Sequence, residues 1–238
     1  MAEDVKALKA RIRAEVWRRM EEAGVAAPPF PIEGRIPNFK GAPLAARRLC
    51  STDDYGDADV VKVNPDSPQR HVRERVLRDG KTLIMPTPRL RKGFLVVKNP
   101  RNPRKASTIR GAFREGKPVM PEDLPPIDLV VTGCVAVAPD GARLGKGGGY
   151  FDIEWGVLSQ VGLVSSDTPV HTTVHDVQVL GRGEIPMEEH DVPVDVIHTP
   201  SWSEECEVEY EKPEGLLESA LDVEKLNEIK WLGRYLEG

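Results

Sequence analysis

The chain has few of the features that mark specialised protein classes. Its 238 residues include only three cysteines, Cys50, Cys134 and Cys206, an odd number without metal-ligand spacing. A disulfide scaffold and a zinc ribbon are therefore excluded. No run approaches the roughly 18 apolar residues that span a bilayer. The opening Met-Ala-Glu-Asp-Val-Lys carries no apolar stretch behind it, so the sequence predicts no secretory leader, no membrane partner and a reduced, cytoplasmic protein. Aromatic residues are scarce at 5%, and no reading helix for DNA is recognisable. Repeats and low-complexity tracts are missing as well. With 39% hydrophobic and 30% charged residues, the chain can still bury a core, which excludes wholesale disorder.

What is present is unevenly distributed. The net charge of −5 conceals a basic block over residues 89–117 and an acidic block over residues 184–228. Such blocks favour ligands of opposite sign, or they lie near each other and partly cancel. The hydrophobic pattern predicts a helix over 4–23, with Val5, Leu8, Ile12, Val16 and Met20 on one face. Residues 27–48, rich in proline and glycine, read as ordered but irregular. Strands are predicted at Val60–Val63, Thr82–Met85 and Phe94–Val97, and a helix at Arg70–Arg78. Residues 98–126 read as a long loop or insertion. The nearly continuous apolar run Ile127–Val137 reads as one buried parallel strand. A helix from Phe151 to about Val161, strands at Pro169–Val174 and Val192–Ile197, and a last helix over 215–236 complete the pattern. Strands alternating with helices define an α/β protein with a mainly parallel sheet.

The sharpest local signal is Arg143-Leu144-Gly145-Lys146-Gly147-Gly148-Gly149-Tyr150-Phe151-Asp152, between a buried strand and a helix. Glycines admit positive φ and close approach of a ligand to the backbone. Successive N–H groups at a helix start suit phosphate oxygens. Arg143 and Lys146 add positive charge, and Asp152 is suited to a magnesium ion. The segment is neither a P-loop nor a dinucleotide fingerprint. Gly141 stands one place too close to Gly145-Lys146, and the third glycine of the second motif is Tyr150. A tight strand–helix turn without a ligand is the plainer alternative.

This segment resembles the ATP signature of the 5-formyltetrahydrofolate cyclo-ligase family, Arg-Leu-Gly-x-Gly-x-Gly-Tyr-Tyr-Asp. Lys9 and Arg13, four apart on one helix face, resemble the family's N-terminal Lys-x-x-x-Arg. Glu189-His190-Asp191-Val192-Pro193-Val194-Asp195 resembles its C-terminal acidic strand. Arg35–Gly41, Pro86–Arg91 and Val174–Gln178 resemble the methenyltetrahydrofolate synthetase domain-containing subfamily. The likeness covers roughly residues 5–200.

The resemblance implies a three-layer α/β/α sandwich, Rossmann-like, over 1–200. An acidic extension with a helix, 201–238, would be packed on that same domain. It implies ATP and Mg2+ as cofactors and a folate or pterin substrate. The nucleotide would be bound by Lys9, Arg13, Arg143, Leu144, Gly145, Lys146, Gly147, Gly148, Gly149 and Tyr150, with Arg143 and Lys146 supporting catalysis. Asp66 and Tyr150 would contact the substrate, and Asp152 and Asp191 would hold the metal. Classical members read Tyr-Tyr-Asp-Arg where this chain has Tyr150-Phe151-Asp152-Ile153. An RNA-associated or non-catalytic ATP-binding member, or an enzyme for a different substrate, are the other readings. Animal members of the subfamily carry an RNA-recognition domain, for which residues 201–238 are too short. Oligomeric state is left open. His175-Asp176 are adjacent in a predicted strand end and point apart, and His171 and His198 read as ordinary strand histidines.

Overall fold

A computed structural model describes residues 4–236. Helix α1 (Val5–Glu22) starts at Asp4, whose carboxylate accepts from the Lys6 N–H at 3.3 Å. Strands β1 (Ala26–Ala27) and β2 (Asn38–Phe39) form a small antiparallel pair. Helices α2 (Ala42–Leu49) and α3 (Asp53–Asp57) follow, then β3 (Val60–Val63), α4 (Arg70–Arg78), β4 (Thr82–Pro86) and β5 (Phe94–Val97). The segment read as a loop over 98–126 is instead ordered as α5 (Pro103–Ala106), α6 (Ile109–Glu115) and β6 (Lys117–Val119). Asn102 and Thr108 cap the two helices through their side-chain oxygens, and Pro103 stands at the helix start, where its missing N–H costs nothing. Pro118 is accommodated because β6 is an edge strand.

The apolar run 127–137 does not form one strand. It divides into β7 (Leu129–Thr132) and β8 (Ala136–Val137), and β8 turns back on β9 (Arg143–Leu144). Gly133 marks the break: a Cβ there would lie 2.6 Å from Gln69 Oε1 and 2.7 Å from Ile36 Cγ2. Helix α7 (Tyr150–Gln160), β10 (Val170–Thr173), β11 (Val196–His198) and β12 (Ser203–Glu205) come next. The strand predicted from Val192 begins only at Val196, because the Val192 N–H and C=O bind Asp152 and Arg143 rather than a neighbouring strand. The last predicted helix is also broken, leaving α8 (Val223–Glu228), newly capped by Asp222.

The main sheet runs β12-β11-β10-β7-β3-β4-β5-β6. Its five central strands, β11 to β4, are mutually parallel, and β12, β5 and β6 are antiparallel additions at the edges. One face packs under α7 through Ile84, Val130, Ile153, Trp155 and Val157. The other packs under α2 and α4 through Leu49, Val61, Val63, Val72 and Val76. A third cluster joins Val16 and Met20 of α1 to Ala136, Ala138 and Leu144 of the β8–β9 hairpin. The structure is thus an α/β fold with a mostly parallel central sheet. Among the described residues, no helix is long and apolar enough to cross a membrane.

Candidate active site

In parallel sheets, sites form beyond the carboxyl ends of the strands. Here those ends are Asn64–Ser67 after β3, Thr87–Arg89 after β4 and Gly133 after β7. Together with the glycine loop and Arg35 and Ile36 they line a cavity of ≈ 710 Å³. The predicted Arg143, Gly145, Lys146, Gly147, Gly148, Gly149, Tyr150, Asp152 and Asp66 all line it. Lys9, Arg13, Leu144 and Asp191 do not.

Those four stand behind the loop. Leu144 is buried in the cluster with α1. Packing of α1 on the β8–β9 hairpin brings Arg13 to the loop, where its Nε donates to Gly145 O at 2.7 Å. Burial pulls the Arg13 guanidinium down from its ordinary pKa; Asp191 opposes this and Arg143 adds to it. Gly147 has φ +94°, a conformation that favours glycine, and a Cβ there would rest in ordinary contact with Arg13 Cζ at 3.4 Å. Lys9, buried, pairs with Asp191 and lies 2.7 Å from Glu188 Oε2.

Arg143 is the hinge of the arrangement. Its Nη2 lies 2.5 Å from Asp152 Oδ1, and its Nε donates to Val192 O at 3.0 Å. Asp152 Oδ1 also accepts from the Val192 N–H at 3.2 Å. The bond network therefore ties the first turn of α7 to the segment that carries Asp191. Phe151, which replaces a tyrosine of the family pattern, has Lys62 Nζ and Arg143 Cζ each 4.5 Å from its ring centroid. An aromatic face attracts cations without a phenol. Lys146 is the freest cation of the loop, 43% exposed and 3.6 Å from Asp66 Oδ1.

The metal proposed for Asp152 and Asp191 fits their chemistry: hard carboxylate oxygens, with the contacts to Arg143 and Lys9 falling on one oxygen of each. Among the described residues, the three-residue group whose ligand atoms converge is Glu188, His190 and Asp191, which includes only one of the two.

The sequence reading missed the C-terminal wall of the cavity. Glu224 and Lys225 of α8 line it. Glu228 accepts from Tyr150 Oη, and Arg89 Nη1 lies 2.6 Å and Arg91 Nη2 3.1 Å from its Oε1. The Tyr150 hydrogen bond, with both arginines assisting, holds the Glu228 carboxyl down at about 2. Burial first, then Glu228, pushes Tyr150 up to about 12. The acidic and basic blocks of the sequence thus meet at this one carboxylate. Trp231 Nε1 donates to Leu90 O at 2.8 Å. It steadies a turn in which Arg89 and Leu90 both take positive φ, 54° and 57°, a costly conformation for side chains of this size.

The histidines lie elsewhere. His175 caps its own turn, its Nδ1 accepting from the Val177 N–H, while Asp176 accepts from Thr199 and Ser201; they form no dyad. His171 and His198 are not isolated strand residues. They link Asp54 to Ser203 in a chain of contacts at 2.9, 3.1 and 2.8 Å. Burial holds both rings down, His198 to about 3, so they are neutral and the chain has one direction of donation, from Ser203 to Asp54. Cys134 is buried and Cys50 and Cys206 are partly so; all three are free thiols.

Comparison with known proteins identifies the family. The model of the 5-formyltetrahydrofolate cyclo-ligase family matches residues 5–200. The chain belongs to that family. It is 41% identical over 227 residues to the methenyltetrahydrofolate synthase domain-containing protein of Bos taurus, covering 93% of this chain and 60% of the relative. The Homo sapiens protein of the same name is 40% identical, with coverages of 93% and 59%. The chain therefore spans about three fifths of the length of these relatives. The solved 5,10-methenyltetrahydrofolate synthetase of Aquifex aeolicus shares the fold, with a TM-score of 0.52 and 22% identity over 83% of this chain and 92% of that one.

Proposed function

We propose that this chain is an ATP-dependent cyclo-ligase that converts 5-formyltetrahydrofolate, or a related formyl-pterin, to the 5,10-methenyl form. The observation that carries the reading is the convergence of Arg143, Lys146, the glycine loop, Asp66 and Asp152 on one cavity at the carboxyl ends of the sheet. The formyl oxygen attacks the γ-phosphorus of ATP, the bond to the β–γ bridging oxygen breaks and ADP leaves. The neighbouring folate nitrogen attacks the formyl carbon and loses its proton to solvent, and the carbon–oxygen bond breaks to release phosphate.

Neither step requires a protein nucleophile. Each requires positioning and compensation of negative charge on the transferred group. Lys146 and the loop N–H groups face that charge. Arg143 fixes Asp152, and Arg13 fixes Gly145 O, which keeps the loop in shape before ATP arrives. Asp152 and Asp191 would hold a magnesium ion, which when bound offsets the charge of the triphosphate. The place of work would be the cytoplasm.

The test is an absorbance assay. Protein, magnesium-ATP and 5-formyltetrahydrofolate should give the conjugated methenyl chromophore in the near ultraviolet, with one ADP per product. ATP binding without any chromophore would overturn the assigned substrate.

A further inference from the structure

One feature of the cavity floor is unexplained by packing. Lys62 lies on the central strand β3, in register with Ile84 of β4 and Val130 of β7. An aliphatic residue would suit that position. Instead the ammonium lies 2.5 Å from Glu154 Oε2, donates to Asn64 Oδ1 at 2.8 Å, and faces the Phe151 ring. The side chains of Lys62 and Glu154 are 1% and 5% exposed. A buried ion pair of this kind returns less than well-packed apolar groups of the same volume.

The pair makes sense from the cavity side. Glu154 and Asn64 both line the cavity, whereas Lys62 does not. Lysine has donors only, so the Asn64 atom facing it is the amide oxygen, and the NH2 is that side chain's remaining polar group. Paired with the Lys62 ammonium, Glu154 presents a carboxylate, which only accepts hydrogen bonds. One lysine thus orients a paired acceptor and donor at the cavity floor.

We infer that Glu154 and Asn64, held by Lys62, form a ring-reading subsite for a planar heterocycle that presents a ring N–H and an amino group beside a carbonyl, as in a 2-amino-4-oxopyrimidine. The amino and ring N–H groups donate to Glu154, and the carbonyl accepts from the Asn64 amide. This rests on the formyl-pterin reading above and deepens it. Glu154 and Lys62 act in recognition, not in phosphoryl transfer.

The experiment compares two ligands by calorimetry in the presence of a non-hydrolysable ATP analogue: 5-formyltetrahydrofolate and its analogue lacking the 2-amino group. The wild type should bind the parent about 10- to 100-fold more tightly, the range expected for a hydrogen bond to a charged group. In Glu154→Gln this preference should collapse, with affinity for the ATP analogue unchanged. A second variant, Lys62→Met with Glu154→Leu, should keep or raise the unfolding midpoint while losing the preference, which separates recognition from folding. A wild type that binds both ligands equally, or an E154Q variant that keeps the preference, would overturn the inference alone. A wild type that binds neither would overturn the formyl-pterin reading and this inference with it.

Discussion

Replacing Lys146 by methionine is expected to lower the turnover of magnesium-ATP with 5-formyltetrahydrofolate by about 10²- to 10³-fold, the usual effect of removing one preorganised group from the charge that develops in a transition state. The fold should be unaffected. Lys146 is 43% exposed, and its ion pair is with Asp66 at 3.6 Å, a contact of little worth at such exposure. The unfolding midpoint should therefore match the wild type within error, and kcat should fall more than affinity for ATP. Turnover close to the wild-type rate would remove Lys146 from the phosphoryl site.

The largest stability effect is expected at Arg73. Its guanidinium is buried and donates to Ser107 O at 2.8 Å, to Asp66 O at 2.9 Å and to Asn64 O. Desolvation pulls it down to about 10. These bonds fasten the segment after β3, which carries Asn64 and Asp66 into the cavity, to the turn before α6. Arg73→Met keeps much of the volume and leaves three carbonyls without their donor. A loss of about 3 kcal/mol is expected from unsatisfied buried acceptors, which lowers the unfolding midpoint by roughly 6–12 °C in a protein of this size. Because the same bonds shape the cavity, substrate affinity should fall in the folded variant. Calorimetric unfolding and substrate titration together check both parts; an unchanged midpoint would mean that the segment after β3 is held by other contacts.

Elements with a clear period were legible in the sequence. The helix Arg70–Arg78 has the predicted ends, α1 differs by one residue at each end, and β3 and β5 coincide with their predicted ranges. The glycine loop was legible as a strand-to-helix connection because glycine spacing and charge are local properties. Helix α2 was not, since Gly41 and Pro43 read as loop residues. In the structure they start the helix: Gly41 takes φ +90° at its N-cap and Pro43 falls in its first turn. The strand predicted over 192–197 shrank because Arg143 and Asp152, distant in sequence, capture the Val192 backbone. Lys62–Glu154 and the Glu228 clamp join residues 92 and 78 or more positions apart. Only the assembled fold brings each set of partners together, so no spacing announces them.

The central claim is that this cavity joins the formyl oxygen of the folate to the γ-phosphorus of ATP. Its most direct test uses 5-formyltetrahydrofolate carrying an isotopic oxygen label in the formyl group, with magnesium-ATP and the purified protein. Mass spectrometry of the released phosphate should find one labelled oxygen per phosphate, in step with the methenyl product. Unlabelled phosphate, or ATP consumed without any methenyl product, would contradict it.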